Sequence, residues 1–404
     1  MASNNGAAGV TTTHSSSCSN TWPSMSSEVS LGPNNGEYVG KTVERTMLTG
    51  TEEPHGLKRP PSRKKARPIE IKSSFDMHSV AFLVGEQHVV SADERGWIHR
   101  WRVEDGELED GATPRAENGV RSIAVSRDGK WFVSGTESGW VTVWNEESRS
   151  KATEWKAHND WVRSVDVSPD SMKIATGSDD CRACVWSLSV GERLFEPFKR
   201  SILPNPFKHD AYVVAVKFSP DGQLIALAKQ HTSVRICDGH NGRLLVQFLI
   251  KVDSFMNQSL AWAKDSRQLF VLSGDGNIYC LEASTGTTLS QWLVNSTKDA
   301  QCIAMASNGT FIAASGGSSV SFWDTTTHKK IECVIYHTAV IESMVISSTY
   351  DLVTAGGTKI TVRNLRDVLP SSYCNEVSAL HQISTARNGF LITNYFFLTA
   401  TAVP

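Results

Sequence analysis

The sequence predicts an all-β protein: a ring of small antiparallel sheets behind a long polar N-terminal tail. Three observations carry this. The stretch AHNDWVRSVDVSPDSMKIATGSDDCRACVW, from Ala157 to Trp186, holds three strand-like apolar runs separated by turn signals. A thin sheet of that kind cannot bury both faces alone, so it requires neighbours like itself. The same pattern recurs along the chain at near-constant spacing.

Within the defining stretch the first run is Val162 to Val167. Ser168-Pro169-Asp170-Ser171 ends it, because Pro fixes φ and Asp and Ser hydrogen-bond their own backbone. Met172 to Thr176 is the second run, Gly177 to Asp180 the second turn, and Arg182 to Trp186 the third run. Short runs joined by short turns read as an antiparallel meander.

The copies are readily aligned. SRDGKWFVSGTESGWVTVW ends at Trp144, SPDSMKIATGSDDCRACVW at Trp186, SPDGQLIALAKQHTSVRIC at Cys237 and AKDSRQLFVLSGDGNIYCL at Leu281. Each has an Asp sixteen residues before its end: Asp128, Asp170, Asp221 and Asp265. LVGEQHVVSADERGWIHRW, ending at Trp101, has the same length without that Asp, and two shorter copies end at Trp323 and Arg363. The steps between the seven ends are 43, 42, 51, 44, 42 and 40 residues. A period of about 40–45 residues with one meander per unit is the signature of a propeller blade.

From roughly Phe75 to Val368 the chain resembles the WD-repeat β-propeller family. Ala157-His158 stands where the family has Gly-His, Ser219-Pro220-Asp221-Gly222 is its usual first turn, and Trp323-Asp324 is an intact Trp-Asp pair. Trp144-Asn145 and Trp186-Ser187 are near misses, while Cys237 and Leu281 replace the Trp. The fold expected is a seven-bladed propeller over residues 69–370, preceded by a disordered tail (1–68) and followed by an extension of unclear structure (371–404). The resemblance also implies a buried network of His158, Thr176, Asp180 and Trp186. Its logic is satisfaction of buried imidazole, hydroxyl and indole groups rather than catalysis.

The tail is rich in Ser, Thr, Asn, Gly and Pro, with too few large aliphatics to offset chain entropy. Lys58 to Arg67 places six cations in ten residues. Three readings stay open for it: docking in the acidic groove of a nuclear import receptor, a solvated linker, or a non-specific nucleic-acid contact. Residues 1–72 carry nine Lys/Arg against six Asp/Glu, whereas the whole chain has net charge −2, so no strongly charged class of partner is implied. Ile69-Glu70-Ile71-Lys72 alternates like a strand and is placed to supply the outer strand of blade seven, since an open ring leaves an edge exposed. Glu196 to Lys208, with Pro197, Pro204 and Pro206, reads as an inserted loop between blades three and four. The segment Gly389 to Pro404 is apolar but shorter than the ~20 residues of a membrane span, which favours a packed extra strand or a sequence foreign to the repeat over a tail anchor.

The chemistry-bearing motifs are sparse. Cys181-Arg182-Ala183-Cys184 lacks the second pair that zinc requires and the helix N-terminus that a redox thiol prefers. There is no phosphate-binding glycine loop and no H-E-x-x-H. The expectation is a protein without catalysis, cofactor, metal, small-molecule substrate or membrane segment. The scattered cysteines and the absence of a signal peptide suit a cytoplasmic or nuclear compartment.

In the family, partners dock on the narrow end of the ring, at positions beside the channel. Matching the start of the first strand gives His78, Arg121, Arg163, Val214, Gln258, Gln301 and Glu342. Two residues earlier lie Asp76, Gly119, Trp161, Tyr212, Met256, Asp299 and Val340, and the second turn adds Glu94, Glu137, Asp179 and Gln230. Trp161, Tyr212, Arg121 and Arg163 are of the types enriched at binding hot spots. With Asp76, His78, Glu94, Glu137 and Asp179 they would suit a protein or peptide partner of mixed charge. Trp161 packed across a blade junction is the structural alternative. The function expected is an interaction scaffold; a nuclear adaptor in a chromatin or ubiquitin-ligase complex is the second reading, and a propeller hydrolase a remote third.

Overall fold

The computed structural model describes residues 68–109, 114–198, 211–253, 258–294 and 301–374. The basic run, residues 199–208 of the inserted loop, Met256, Asp299 and the Gly389–Pro404 segment lie outside the described residues.

Seven antiparallel sheets form the seven blades of a β-propeller. Blade three shows the plan: Val162–Val167 innermost, then Lys173–Ser178, Ala183–Ser187 and Arg193–Phe198 outward. Blades two, four, five and six repeat that order, and their innermost strands start at Val120, Val213, Leu260 and Ile303. Blade one has three strands, Met77–Phe82, His88–Asp93 and Ile98–Arg102. Blade seven takes three strands from the end of the repeat region and its fourth from the start, Ile69–Lys72. That fourth strand runs antiparallel to Lys359–Asn364, with Ile69 opposite Val362 and Ile71 opposite Ile360. Ile71 is buried against this seam, and both isoleucines lie against Gly106 of blade one. The ring is closed by chain ends 287 residues apart in sequence.

Two sequence expectations need correction. Gly177 and Ser178, read as the second turn, continue the strand that starts at Lys173, one residue later than read. Gly177 is needed there because a Cβ would come within 2.8 Å of Val213 in the next blade; Gly135 meets Val162 in the same way. This is glycine used for close approach of strands rather than for turning. Likewise Glu196-Pro197-Phe198, assigned to the inserted loop, completes the outer strand of blade three. Pro197 is tolerated because an outermost strand leaves one row of N–H groups unpaired.

The blades are tied together by side chains invisible to local pattern. The hydroxyl of an inner-strand serine accepts the backbone N–H of the following blade: Ser79 from Ile123 (3.0 Å), Ser122 from Val165 (3.0 Å), Ser164 from Val216 (3.2 Å) and Ser343 from Val80 (3.0 Å). Each bond is buried, so each donor and acceptor is satisfied where water does not reach. Beyond the last blade, the short turn of helix Ser371–Cys374 packs on blade six, where Asn308 Nδ2 donates to the Tyr373 carbonyl at 2.9 Å.

Candidate partner-binding site

The first strands of blades two and three begin with the same arrangement. Arg121 and Arg163 are each followed, sixteen residues later, by an acid on the turn between strands two and three. Arg121 Nε donates to Glu137 Oε1 at 2.8 Å, and Arg163 grips Asp179 through Nε at 2.9 Å and Nη2 at 2.7 Å. Fixed in this way, the two guanidiniums flank Trp161, at 4.5 Å and 4.7 Å from its ring. A guanidinium over an indole face is attracted by the ring quadrupole, so Trp161 is held in one orientation while remaining half-buried. Asp179 itself is buried; burial pushes its carboxyl above the usual range, against the pull of Arg163.

The arc continues toward blade seven. Arg121 Nη1 lies 3.4 Å from His78 Nδ1, which lies 2.6 Å from Glu342 Oε2. His78 Nε2 is buried without a hydrogen-bond partner. Asp76 and Glu94 are exposed carboxylates of blade one, tied to each other only through the Glu94 N–H to Asp76 carbonyl bond of 3.1 Å. Beside them Arg95, not singled out from sequence, covers the Phe75 ring at 4.3 Å.

The structure thus unites three of the four expected hot-spot residues. Tyr212 is exposed at the next junction and has no ring or cation contact with the Trp161 stack. Val214 is buried, Val340 is exposed, and Gln258 is committed to blade seven. Arg121 and Arg163 are each paired with an acid of their own blade, and Asp76, Glu94 and Arg95 are exposed. The Arg–acid spacing of sixteen residues in consecutive repeats was the signal that could have revealed this pairing.

Blade three contains the buried network in series. His158 Nδ1 is 3.0 Å from both oxygens of Asp180, its Nε2 is 2.7 Å from Thr176 Oγ1, and that hydroxyl accepts the Trp186 indole N–H at 2.9 Å. Burial acts to raise the Asp180 pKa, but the bonds from His158 and from the backbone of Asn159 and Arg182 hold it below the ordinary value. Blades one and two retain the last link only, Trp101 to Ser91 at 2.8 Å and Trp144 to Ser134 at 2.9 Å. Blade six keeps the Trp and loses its acceptor: Trp323 Nε1 is buried and unpaired, with Ala314 at the matching register. Cys181 and Cys184 are both buried, and burial pushes the Cys184 thiol up to about 12, which suits an inert structural cysteine. Among the described residues no cluster of three His, Cys, Asp or Glu side chains is placed to hold a metal.

The family model described as WD domain, G-beta repeat matches residues 112–145 and 149–187, which span blade two and the three inner strands of blade three. The chain is a member of the WD-repeat β-propeller family. It is 30% identical over 146 residues to rat apoptotic protease-activating factor 1, covering 36% of this chain and 12% of that protein. Rice small ribosomal subunit protein RACK1y is 29% identical over 152 residues, covering 36% of this chain and 42% of its own length. Drosophila actin-interacting protein 1 is 26% identical over 259 residues, covering 61% and 41%. The chain therefore spans less than half the length of these relatives.

Proposed function

We propose that this WD-repeat propeller is a non-enzymatic interaction scaffold that binds a protein or peptide partner on its narrow face at Trp161. The observation that carries this reading is the Trp161 ring, half-buried and clamped between two guanidiniums that are themselves anchored. A large side chain ordered before binding loses little entropy on contact, which favours a hot spot. Further along the row, in blade one, the exposed charge is mixed, from Asp76, Glu94 and Arg95, and fits a peptide carrying both signs. The reading includes a cytoplasmic or nuclear setting, supported by seven described cysteines that are all free. Among the described residues no helix is long and apolar enough to cross a membrane. Actin and a ribosomal subunit appear in the names of two relatives and supply a short list of assemblies to assay first. Affinity purification with the intact chain and with its Trp161→Ala variant tests the reading: partners shared equally by both would remove it.

Import through Lys58 to Arg67, and with it a nuclear adaptor role, rests on the sequence alone. Trp144-Asn145 is followed by Glu146 and Glu147 rather than by the arginine that the family's ligase-docking pattern requires. Glu146 is moreover engaged by Arg100 Nη1 at 2.5 Å.

A further inference from the structure

The end of the channel opposite Trp161 has a different chemistry. Beyond the inter-blade serines, the inner strands of all seven blades enclose a cavity of about 510 Å3, which extends to the first-turn prolines Pro169 and Pro220. Its size falls within the range of small-molecule sites. At the strand position following the inter-blade bonds, blades one, two, five, six and seven present Ala81, Ala124, Ala261, Ala304 and Val345, whereas adjacent blades three and four present Asp166 and Lys217. Serines of the inner strands and Gln258 also line the wall, and Trp262 stands beside Lys217, its indole N–H donating to the Lys217 carbonyl at 3.1 Å.

The two charges of the pair are not equivalent. Asp166 is buried and spends both oxygens, one on Lys217 Nζ at 2.8 Å and one on the Phe218 backbone N–H at 2.8 Å. Lys217 gives up one of its three N–H donors and remains 48% exposed. At the mouth, Arg127 lines the same cavity, is exposed, and has no carboxylate partner among the described residues. Its neighbour Asp128 is turned away, accepting from the Ser126 hydroxyl at 2.6 Å and the Lys130 N–H at 3.2 Å. The Asp166 carboxylate is thus used up while Lys217 keeps free donors, and Arg127 leaves the cavity one uncompensated positive charge. Such a charge at the mouth of a cleft raises the local concentration of anions.

We propose that the wide end of the channel binds a small aliphatic carboxylate. Its anionic head hydrogen-bonds the unspent donors of Lys217 in the field of Arg127, and its chain packs against the alanine wall and Trp262. This site is independent of the face at Trp161.

Titration calorimetry on the full chain, with decanoate and 1-decanol as probes, tests the proposal. One decanoate should bind per chain and the alcohol about tenfold more weakly, the difference expected for one charge-assisted bond. Lys217→Gln should remove that preference. Because it also leaves Asp166 short of a partner, Arg127→Gln on the exposed mouth and Ala304→Leu inside the cavity serve as independent variants. The first should weaken decanoate binding several-fold, and the second should abolish binding of both probes without altering charge. Equal affinity for acid and alcohol, undiminished binding in Ala304→Leu, or no heat from decanoate would each overturn the assignment.

Discussion

Gln258 of blade five bonds to Met344 of blade seven: its Oε1 accepts the Met344 backbone N–H at 2.9 Å, and its Nε2 donates to Ser343 Oγ at 2.9 Å. One side chain thus reaches across the front of blade six. The cause lies in blade six itself, whose inner strand is only Ile303–Met305 and which carries Cys302 where four other blades place the bridging serine. The Cys302 thiol is occupied with Ser315 Oγ at 3.3 Å, and burial pushes its pKa up to about 12. Gln258→Ala removes the acceptor and leaves the Met344 N–H without its partner. A loss of about 1–3 kcal/mol is expected, read as a lower urea midpoint. Gln258→Met, equal in length, should lose about as much; full stability in Gln258→Met would assign the effect to packing.

Trp161→Ala should leave the melting temperature nearly unchanged and abolish partner capture. Arg163→Ala behaves differently, because it strands Asp179 as a buried carboxylate. It should destabilise by about 3–5 kcal/mol, the range for halving a buried pair. Loss of binding in Arg163→Ala therefore says nothing about the face, whereas loss in Trp161→Ala with an intact melt does.

The network in blade three makes a pH-dependent contribution of predictable sign. Asp180 has a folded pKa below its unfolded value, so its stabilisation is complete above an ordinary aspartate pKa of about 3.9 and is lost as pH falls through the lower folded value. Thermal melts of the wild type and Asp180→Asn should differ most at neutral pH and converge below about pH 4. A gap that persists in acid would mean that the aspartate acts through shape alone.

Blade six offers a gain of stability. Ala314→Ser places a hydroxyl at the register where Ser91, Ser134 and Thr176 satisfy their tryptophans, within reach of the orphaned Trp323 indole. The expected stabilisation is about 1 kcal/mol. An unchanged or lower denaturant midpoint would show that the hydroxyl does not reach the indole or overpacks the buried Ala314 position.

At the seam, Ile71→Ala should cost about 2–5 kcal/mol, as for other fully buried large-to-small changes. Deleting residues 1–72 should lower the melting temperature much further than deleting 1–67, because only the former removes the closing strand. Equal melts for the two truncations would contradict the closure seen between Ile71 and Ile360.

The repeat was legible because its signals are local: an Asp in the first turn, an apolar run, a terminal Trp. The closing strand was legible for a similar reason, since Ile69 and Ile71 alternate with polar residues at a place where a ring lacks one strand. What sequence could not supply were relations between copies. Ser79, Ser122, Ser164 and Ser343 look like ordinary strand serines until the next blade's N–H stands opposite them. Gly177 reads as a turn residue because the Val213 that forces it lies 36 residues downstream. At the candidate site, the sequence names residue types but not their partnerships within the fold. Arg121 and Arg163 were available on paper, and in the folded protein each is already occupied. Tyr212 belonged to the same row of positions, yet a row around a ring does not bring neighbours into contact.

The pairing of Ile69–Lys72 with Lys359–Asn364 fixes an order of events during biosynthesis. Of the propeller's strands the one made first waits for a neighbour made 287 residues later, an interval of roughly 15–60 s at ordinary elongation rates. Throughout that time the nascent chain holds an unpaired strand with one apolar face and a growing unsealed arc. Closure therefore waits until Lys359–Asn364 has been made, however early Ile69–Lys72 emerges.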